Sequence, residues 1–299
     1  MDEKAKLTSK TINQRSIPRN DQVINRRIEI KYRFYYFYSC TIIFLLFAGY
    51  FLTTAELLPY DPEDIDFDNM LSAPMTADHL LGTDYLGRDT LSRLIVGIEA
   101  YLLPSIFAAS IAISFSIIAS AISLFSNKRL TRTLHVINES LIAMPRLIFI
   151  LLIITIFEPT IFYIMLVIGI SNIPSVSQLL LARIDQLKER NFIESAISSG
   201  ISFKNLVLKH VLWANCRTIL FSQSALIIGE AILLEASLSY LGFGVQEPDP
   251  SWGNMVQSGS NYLLQGDIWP STIPALAIMA VISAFYLLSY TITQTIGKN

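Results

Sequence analysis

The stretch Ala100-Tyr-Leu-Leu-Pro104-Ser-Ile-Phe-Ala-Ala-Ser110-Ile-Ala-Ile-Ser-Phe-Ser-Ile-Ile-Ala-Ser120-Ala-Ile-Ser-Leu-Phe-Ser126-Asn127 runs for 28 residues without one Asp, Glu, Lys or Arg. About 20 apolar residues in a helix cross the roughly 30 Å hydrocarbon core of a bilayer. Three more stretches are equally free of charge: Phe34–Ala55, Pro159–Ala182 and Ile268–Gly297. Soluble proteins carry about 25% charged residues, whereas here the figure is 15%, with 52% hydrophobic residues and a mean hydropathy of +0.48. These runs predict an all-α polytopic membrane protein.

Two further apolar spans are interrupted. Ser140–Phe157 holds Arg146 just after Pro145, and Ile219–Leu241 holds Glu230 and Glu235. Six crossings are therefore expected, at about 36–55, 102–125, 140–157, 160–181, 219–241 and 271–292. No cleavable signal peptide is expected, since the first apolar run follows more than thirty polar residues. Cys40 and Cys216 sit in distant spans and read as free thiols.

Charge sets the expected orientation. Nine Lys or Arg lie between Lys4 and Arg33, and Lys128, Arg129 and Arg132 follow the second span. Six more, from Arg183 to Arg217, fall between the fourth and fifth spans. The loop Glu56–Glu99 instead has ten acidic residues against Arg88 and Arg93, and Gly242–Pro270 has no Lys or Arg. Basic short loops stay on the cytoplasmic side. Both termini and the 182–218 loop are thus predicted inside, residues 1–35 forming a cytoplasmic tail that is expected to be unstructured over 1–33 and whose basic residues also suit anionic lipid.

Within the inner loop, Ile184, Leu187, Phe192, Ile193, Ala196 and Ile197 recur at helical spacing. Gly200 then interrupts the pattern, as a helix C-terminal residue with φ > 0 does. Ser202 is placed to cap a second helix, over which Phe203, Leu206, Val207, His210 and Val211 continue. The reading is two short amphipathic helices meeting at Gly200. They suit the headgroup layer, packing on the bundle, or a groove on a soluble partner.

Here a resemblance enters. Phe192-Ile-Glu194-Ser195-Ala196-Ile-Ser-Ser-Gly200, followed by His210-Val-Leu-Trp213-Ala-Asn215, resembles the EAA loop of ATP-binding-cassette importer permeases, approximately E-A-A-x-x-x-G and then L-P-N. Ser195 stands where that pattern has Ala, and Trp213 where it has Pro. Losing the proline restores a backbone donor and frees φ, so the second helix is expected to run on differently. The resemblance implies that Glu194, Ser195, Ala196 and Gly200 couple the chain to an ATPase subunit.

On the outer side, His79-Leu-Leu-Gly82-Thr-Asp84-Tyr-Leu-Gly87-Arg88-Asp89-Thr-Leu-Ser92-Arg93 resembles the LGTDxLGRDxxSR signature of the dipeptide, oligopeptide and nickel importer permeases, C-type subunit. By spacing alone, Asp84 and Arg88 are placed to pair and Asp89 favours a helix start. Leu234-Glu235-Ala-Ser-Leu238-Ser239-Tyr-Leu241-Gly242-Phe-Gly244-Val-Gln, with Pro248-Asp-Pro250-Ser251-Trp252-Gly253-Asn254-Met255, resembles that family's EAxLSFLGLGxxPPxPSWGxM. Gly82, Asp84, Gly87, Arg88, Asp89, Glu235, Trp252 and Gly253 are accordingly candidate outer-loop or gate residues. Trp252 reads as an interface aromatic. Glu235 either lines an outer gate or meets a second permease, or else hydrogen-bonds within a helix interface. Glu230 fits no acidic position of the signature, and it points about 140° away from Glu235 around a helix.

The resemblance implies a type I importer permease fold, with a first helix and outer loop over 36–99 and a permease domain over 100–299. It also implies a homologous second permease, two ATPase subunits and an extracytoplasmic solute-binding protein in the cytoplasmic (inner) membrane of a prokaryote. This chain itself has no phosphate-binding G-x-x-x-x-G-K-[ST] motif, no metal-spaced grouping of His79, His135 and His210, and no catalytic triad. It is expected to be no enzyme, to bind no cofactor and no nucleic acid, and to leave ATP and magnesium to its partners. Peptide is the expected cargo, with nickel or a metal chelate the alternative. A secondary transporter using Glu230 and Glu235 as a proton relay would need inverted repeats, which the sequence does not show.

Overall fold

A computed structural model describes residues 19–54, 58–76, 78–124, 128–156, 160–189, 195, 198–202 and 205–296. Among them no strand forms, and nine α-helices carry the chain. These are α1 (Arg19–Thr54), α2 (Thr90–Val96), α3 (Leu102–Leu124), α4 (Lys128–Ile142), α5 (Arg146–Ile154), α6 (Ile161–Glu189), α7 (Arg217–Tyr240), α8 (Trp252–Ser260) and α9 (Trp269–Ile296). A π-helix, Leu206–Cys216, runs directly into α7.

Among the described residues five segments are long and apolar enough to cross a membrane: Tyr32–Thr53, Thr90–Ser123, Ile161–Leu187, Lys209–Tyr240 and Trp269–Thr295. All five overlap expected crossings, but two begin well before them: the second because α2 feeds through the short turn Gly97–Ala100 into α3, and Lys209–Tyr240 because the π-helix runs into α7. Two expectations need correction. The tail is not unstructured up to residue 33, because α1 already begins at Arg19.

The third crossing, expected as one helix over 140–157, is broken. Helices α4 and α5 meet at an angle of 82° across Ala143–Pro145. Proline lacks the N–H that would continue the ladder and pushes the residue before it out of the α region. The nine residues of α5 rise only about 14 Å. A sixth crossing exists only if the bent pair counts as one.

The core has three connected parts. One joins α6 to the π-helix, where Val176, Leu180, Ile184 and Leu187 pack on Leu206, Val207, Val211 and Cys216. A second gathers Leu46, Tyr101, Leu102, Ala236, Trp252 and Phe285. The third seats α5 on α6 and α7 through Ile150, Ile154, Ile164, Ile168 and Leu234. Helix α3 lies along α6, and α9 lies between α7 and α1. The close approach of α3 and α6 is made at Gly169, where a Cβ would stand 2.8 Å from the Ala108 carbonyl oxygen.

Candidate functional site

The two ends of α7 carry the two sets of candidate residues. Its 24 residues span roughly 36 Å, so the loop before it and the turn after it lie at opposite ends of the bundle.

After α7, the loop 242–251 meets the loop before α2. Asp84 is the centre of the first turn: its Oδ1 accepts the Leu86 and Arg88 N–H groups at 2.8 and 3.1 Å, and its Oδ2 accepts Arg88 Nε at 2.7 Å. The pairing predicted from the i, i+4 spacing is present. Asp89 caps α2, its Oδ2 accepting the Ser92 N–H at 2.7 Å, while Oδ1 holds His79 Nδ1 at 2.8 Å. Gly87 has φ +80°, and a Cβ there would overlap the Asp66 carbonyl oxygen at 1.8 Å. Gly82, at φ +74°, is equally confined against Ser72.

Glu247 completes the cluster. Its carboxylate accepts Arg88 Nη1 at 2.7 Å and Arg93 Nη2 at 3.1 Å. Arg93 Nη1 also donates to the Pro62 carbonyl at 3.1 Å. Burial disfavours the charge on Arg88, but the Glu247 hydrogen bond and the Asp84 and Glu247 charges outweigh it and hold its pKa above the ordinary value. Arg88 and Arg93 are thus internal ligands of carboxylates rather than surface charges. The sequence reading does not single out Glu247; the available signal is a segment with three carboxylates (Glu247, Asp249, Asp267) and no Lys or Arg, opposite a loop with only two arginines.

Beneath this cluster, Trp252 is buried, donating Nε1–H to the Leu94 carbonyl at 2.8 Å and stacking on Tyr101 at 4.7 Å. It is a core residue and not the interface aromatic expected. Ser251 and Asn254 form a reciprocal cap on α8. The Gly253 N–H donates to the Tyr101 hydroxyl at 3.0 Å, and a Cβ on Gly253 would stand 2.4 Å from the Ala236 carbonyl oxygen.

Glu235 is 0% exposed. Ser239 Oγ donates to its Oε1 at 2.5 Å and itself accepts the Val245 N–H at 2.9 Å, while Tyr101 neighbours the carboxylate. The structure therefore places Glu235 inside a helix interface and not on a gate surface or a face open to a second permease. Its Oε2 has no hydrogen-bond partner among the described residues.

At the opposite end, Glu194 and Ala196 of the loop before the π-helix lie outside the described residues. Ser195 is exposed, and its carbonyl accepts the Ser199 N–H at 3.0 Å, one helical turn. Gly200 is exposed with φ +77°, and nothing lies within 4 Å of where its Cβ would be. Beyond it, Leu206 N–H reaches the Ser202 carbonyl at 2.9 Å, the first helical bond of the following segment. The segment through Trp213 is a continuous π-helix entering α7, so the second helix does run on where the proline pattern would break it. Arg183 Nε donates to the Asn215 carbonyl at 3.3 Å, clipping the two limbs of the loop together.

Inside the bundle, Arg146 at the start of α5 pairs with Glu230 on α7. Asn172 Oδ1 at 3.3 Å and Ser175 Oγ at 3.2 Å take its other N–H groups. Cys40 and Cys216 are both free, and among the described residues no group of three or more His, Cys, Asp or Glu side chains could hold a metal.

Comparison with known proteins fits this arrangement. Residues 112–297 match the family described as binding-protein-dependent transport system inner membrane component. The chain is 31% identical to the oligopeptide transport system permease protein OppC of Haemophilus influenzae, over 82% of this chain and 79% of that one. It is 30% identical to the probable D,D-dipeptide transport system permease protein DdpC of Escherichia coli K12, over 83% of each. It is 31% identical to the glutathione transport system permease protein GsiD of Escherichia coli O6:K15:H31, over 78% of this chain and 76% of that one. With the signature residues gathered at one end, an open glycine turn at the other and membrane-length helices between, the chain belongs to the binding-protein-dependent inner membrane component family, as a multi-pass permease subunit of an ATP-binding-cassette transporter.

Proposed function

We propose that this chain translocates short peptides inward, as one permease of a heterodimer with a homologous second permease. Two ATPase subunits dock at the Glu194–Gly200 loop, and an extracytoplasmic solute-binding protein delivers cargo at the other end. The basic residues of the loop Arg183–Arg217 and the basic-free segment Gly242–Pro270 support an orientation with both termini and the Gly200 turn in the cytoplasm. ATP and magnesium are then used by the partners. The relatives named for oligopeptide, D,D-dipeptide and glutathione favour peptide over nickel as cargo.

The observation that carries this reading is the asymmetry of the two ends. The Arg88–Glu247–Arg93 end is fully interlocked and suits a rigid platform, in which Gly82, Asp84, Gly87, Arg88, Asp89, Glu235, Trp252 and Gly253 hold shape. The Gly200 turn is exposed with open space around it, which suits insertion into a partner. Because α6 and the π-helix share one apolar seam and the π-helix continues into α7, a push on this turn is carried into two membrane helices. Uptake of labelled peptide into vesicles holding the complete transporter should require both ATPase subunits and ATP. Uptake that persists without the ATPase subunits would instead favour a secondary transporter.

A further inference from the structure

Arg146 and Glu230 belong to none of the motifs that carry the resemblance, and coupling at Gly200 does not use them. Glu230 lies 13 residues into the 24-residue α7, about 20 Å from its start and hence near mid-membrane. A charge at that depth is costly unless it faces protein or a water-filled cavity. The two side chains are nevertheless 27% and 30% exposed in this chain. Their face must therefore look onto a polar cavity or another subunit and not onto lipid.

Arg146 also lines a small cleft of about 80 Å³ with Leu141, Met144, Phe149, Ile170 and Pro174. Its lining is apolar apart from Arg146 and Ser171, which suits one short apolar group held beside a fixed charge. The guanidinium fork matches a carboxylate, and the position of Glu230 shows that a carboxylate fits against it.

We infer that Arg146 is a transient binding point for the C-terminal carboxylate of a peptide in transit, with the adjoining apolar cleft receiving the terminal side chain. Between passages Glu230 holds the arginine. During passage one carboxylate replaces another, so the guanidinium is never left unpaired at membrane depth, and Glu230 turns to the water of the same cavity. This inference rests on the peptide-importer reading.

The test uses the complete transporter in proteoliposomes, with a pool of labelled di- to penta-alanine and binding of the ATPase subunits as a check on assembly. Arg146→Gln is expected to lower uptake at least tenfold with the ATPase subunits still bound. Glu230→Gln, which keeps the arginine and removes its resident competitor, is expected to lower the KM for peptide, the opposite of the change in Arg146→Gln. Equal losses in the two variants would make the pair a structural clip and overturn the inference, as would undiminished uptake by Arg146→Gln. If Arg146→Gln does not assemble, Arg146→Lys takes its place. A point charge without the fork is expected to lower uptake threefold or more, and wild-type uptake by that variant overturns the subsite. Absence of uptake by the wild type itself would contradict the importer reading, and this inference with it.

Discussion

Arg88 Nη1 and Glu247 Oε2 lie 2.7 Å apart, joining residues 159 positions distant and fastening the loop before α2 to the loop after α7. Arg93, 1% exposed, shares the same carboxylate. Removing one partner of a buried pair leaves an uncompensated charge, a loss of 3–5 kcal/mol when burial is complete. Glu247 is 36% exposed, so Glu247→Gln is expected to cost less, about 2 kcal/mol. The midpoint of thermal unfolding in detergent measures it, and an unchanged midpoint would show that the cluster contributes nothing.

Two glycines with similar φ should respond differently to the same change. Gly87→Ala drives a Cβ into the Asp66 backbone, where nothing flexible can yield, and is expected to cost at least about 3 kcal/mol through strain and overpacking. Gly200→Ala meets open space and carries only the left-handed backbone penalty, about 1 kcal/mol. Expression and unfolding of the two variants side by side check the contrast.

Tyr101→Phe removes the hydroxyl that accepts the Gly253 N–H at 3.0 Å and leaves the ring stack on Trp252 intact. A buried donor left unmet costs about 1–3 kcal/mol, and loosening should localise to the start of α8. Hydrogen exchange of the Gly253 amide reads this directly, with faster exchange expected in the variant.

The loop before α2 should have an acid limit of its own. Hydrogen bonds from Asn69 and from the Asp68 N–H lower the Asp66 pKa below the usual carboxylate value. A carboxyl with a lowered folded pKa adds stability that is complete above its unfolded pKa and is lost as pH falls through the folded one. Protection of the Asp68 and Asn69 amides is therefore expected to fall below the ordinary Asp range, and Asp66→Ala should abolish that pH dependence.

What the sequence made legible was local. Charge-free runs marked the membrane helices, and Asp84, Arg88 and Asp89 lie close enough in the chain for spacing alone to predict their pairing and capping. Gly200 was readable as a left-handed turn because its neighbours have helical periodicity. Glu247 and the Arg146–Glu230 pair were not legible, since partners 159 and 84 residues away have no local pattern. Trp252 was misread because an aromatic beside prolines resembles an interface anchor; Tyr101 and the Leu94 carbonyl enclose it. The apolar run 140–157 read as a single helix because its length outweighed Pro145, whose missing donor decides the geometry.

The central claim is that the exposed turn at Gly200 receives the ATPase subunits. Gly200→Trp is the direct test, because its side chain enters open space in this chain and leaves the membrane core untouched. Co-purification of ATPase subunits with the variant should fall at least tenfold, while its unfolding midpoint stays within that of Gly200→Ala. Full recovery of the ATPase subunits with Gly200→Trp would contradict the account.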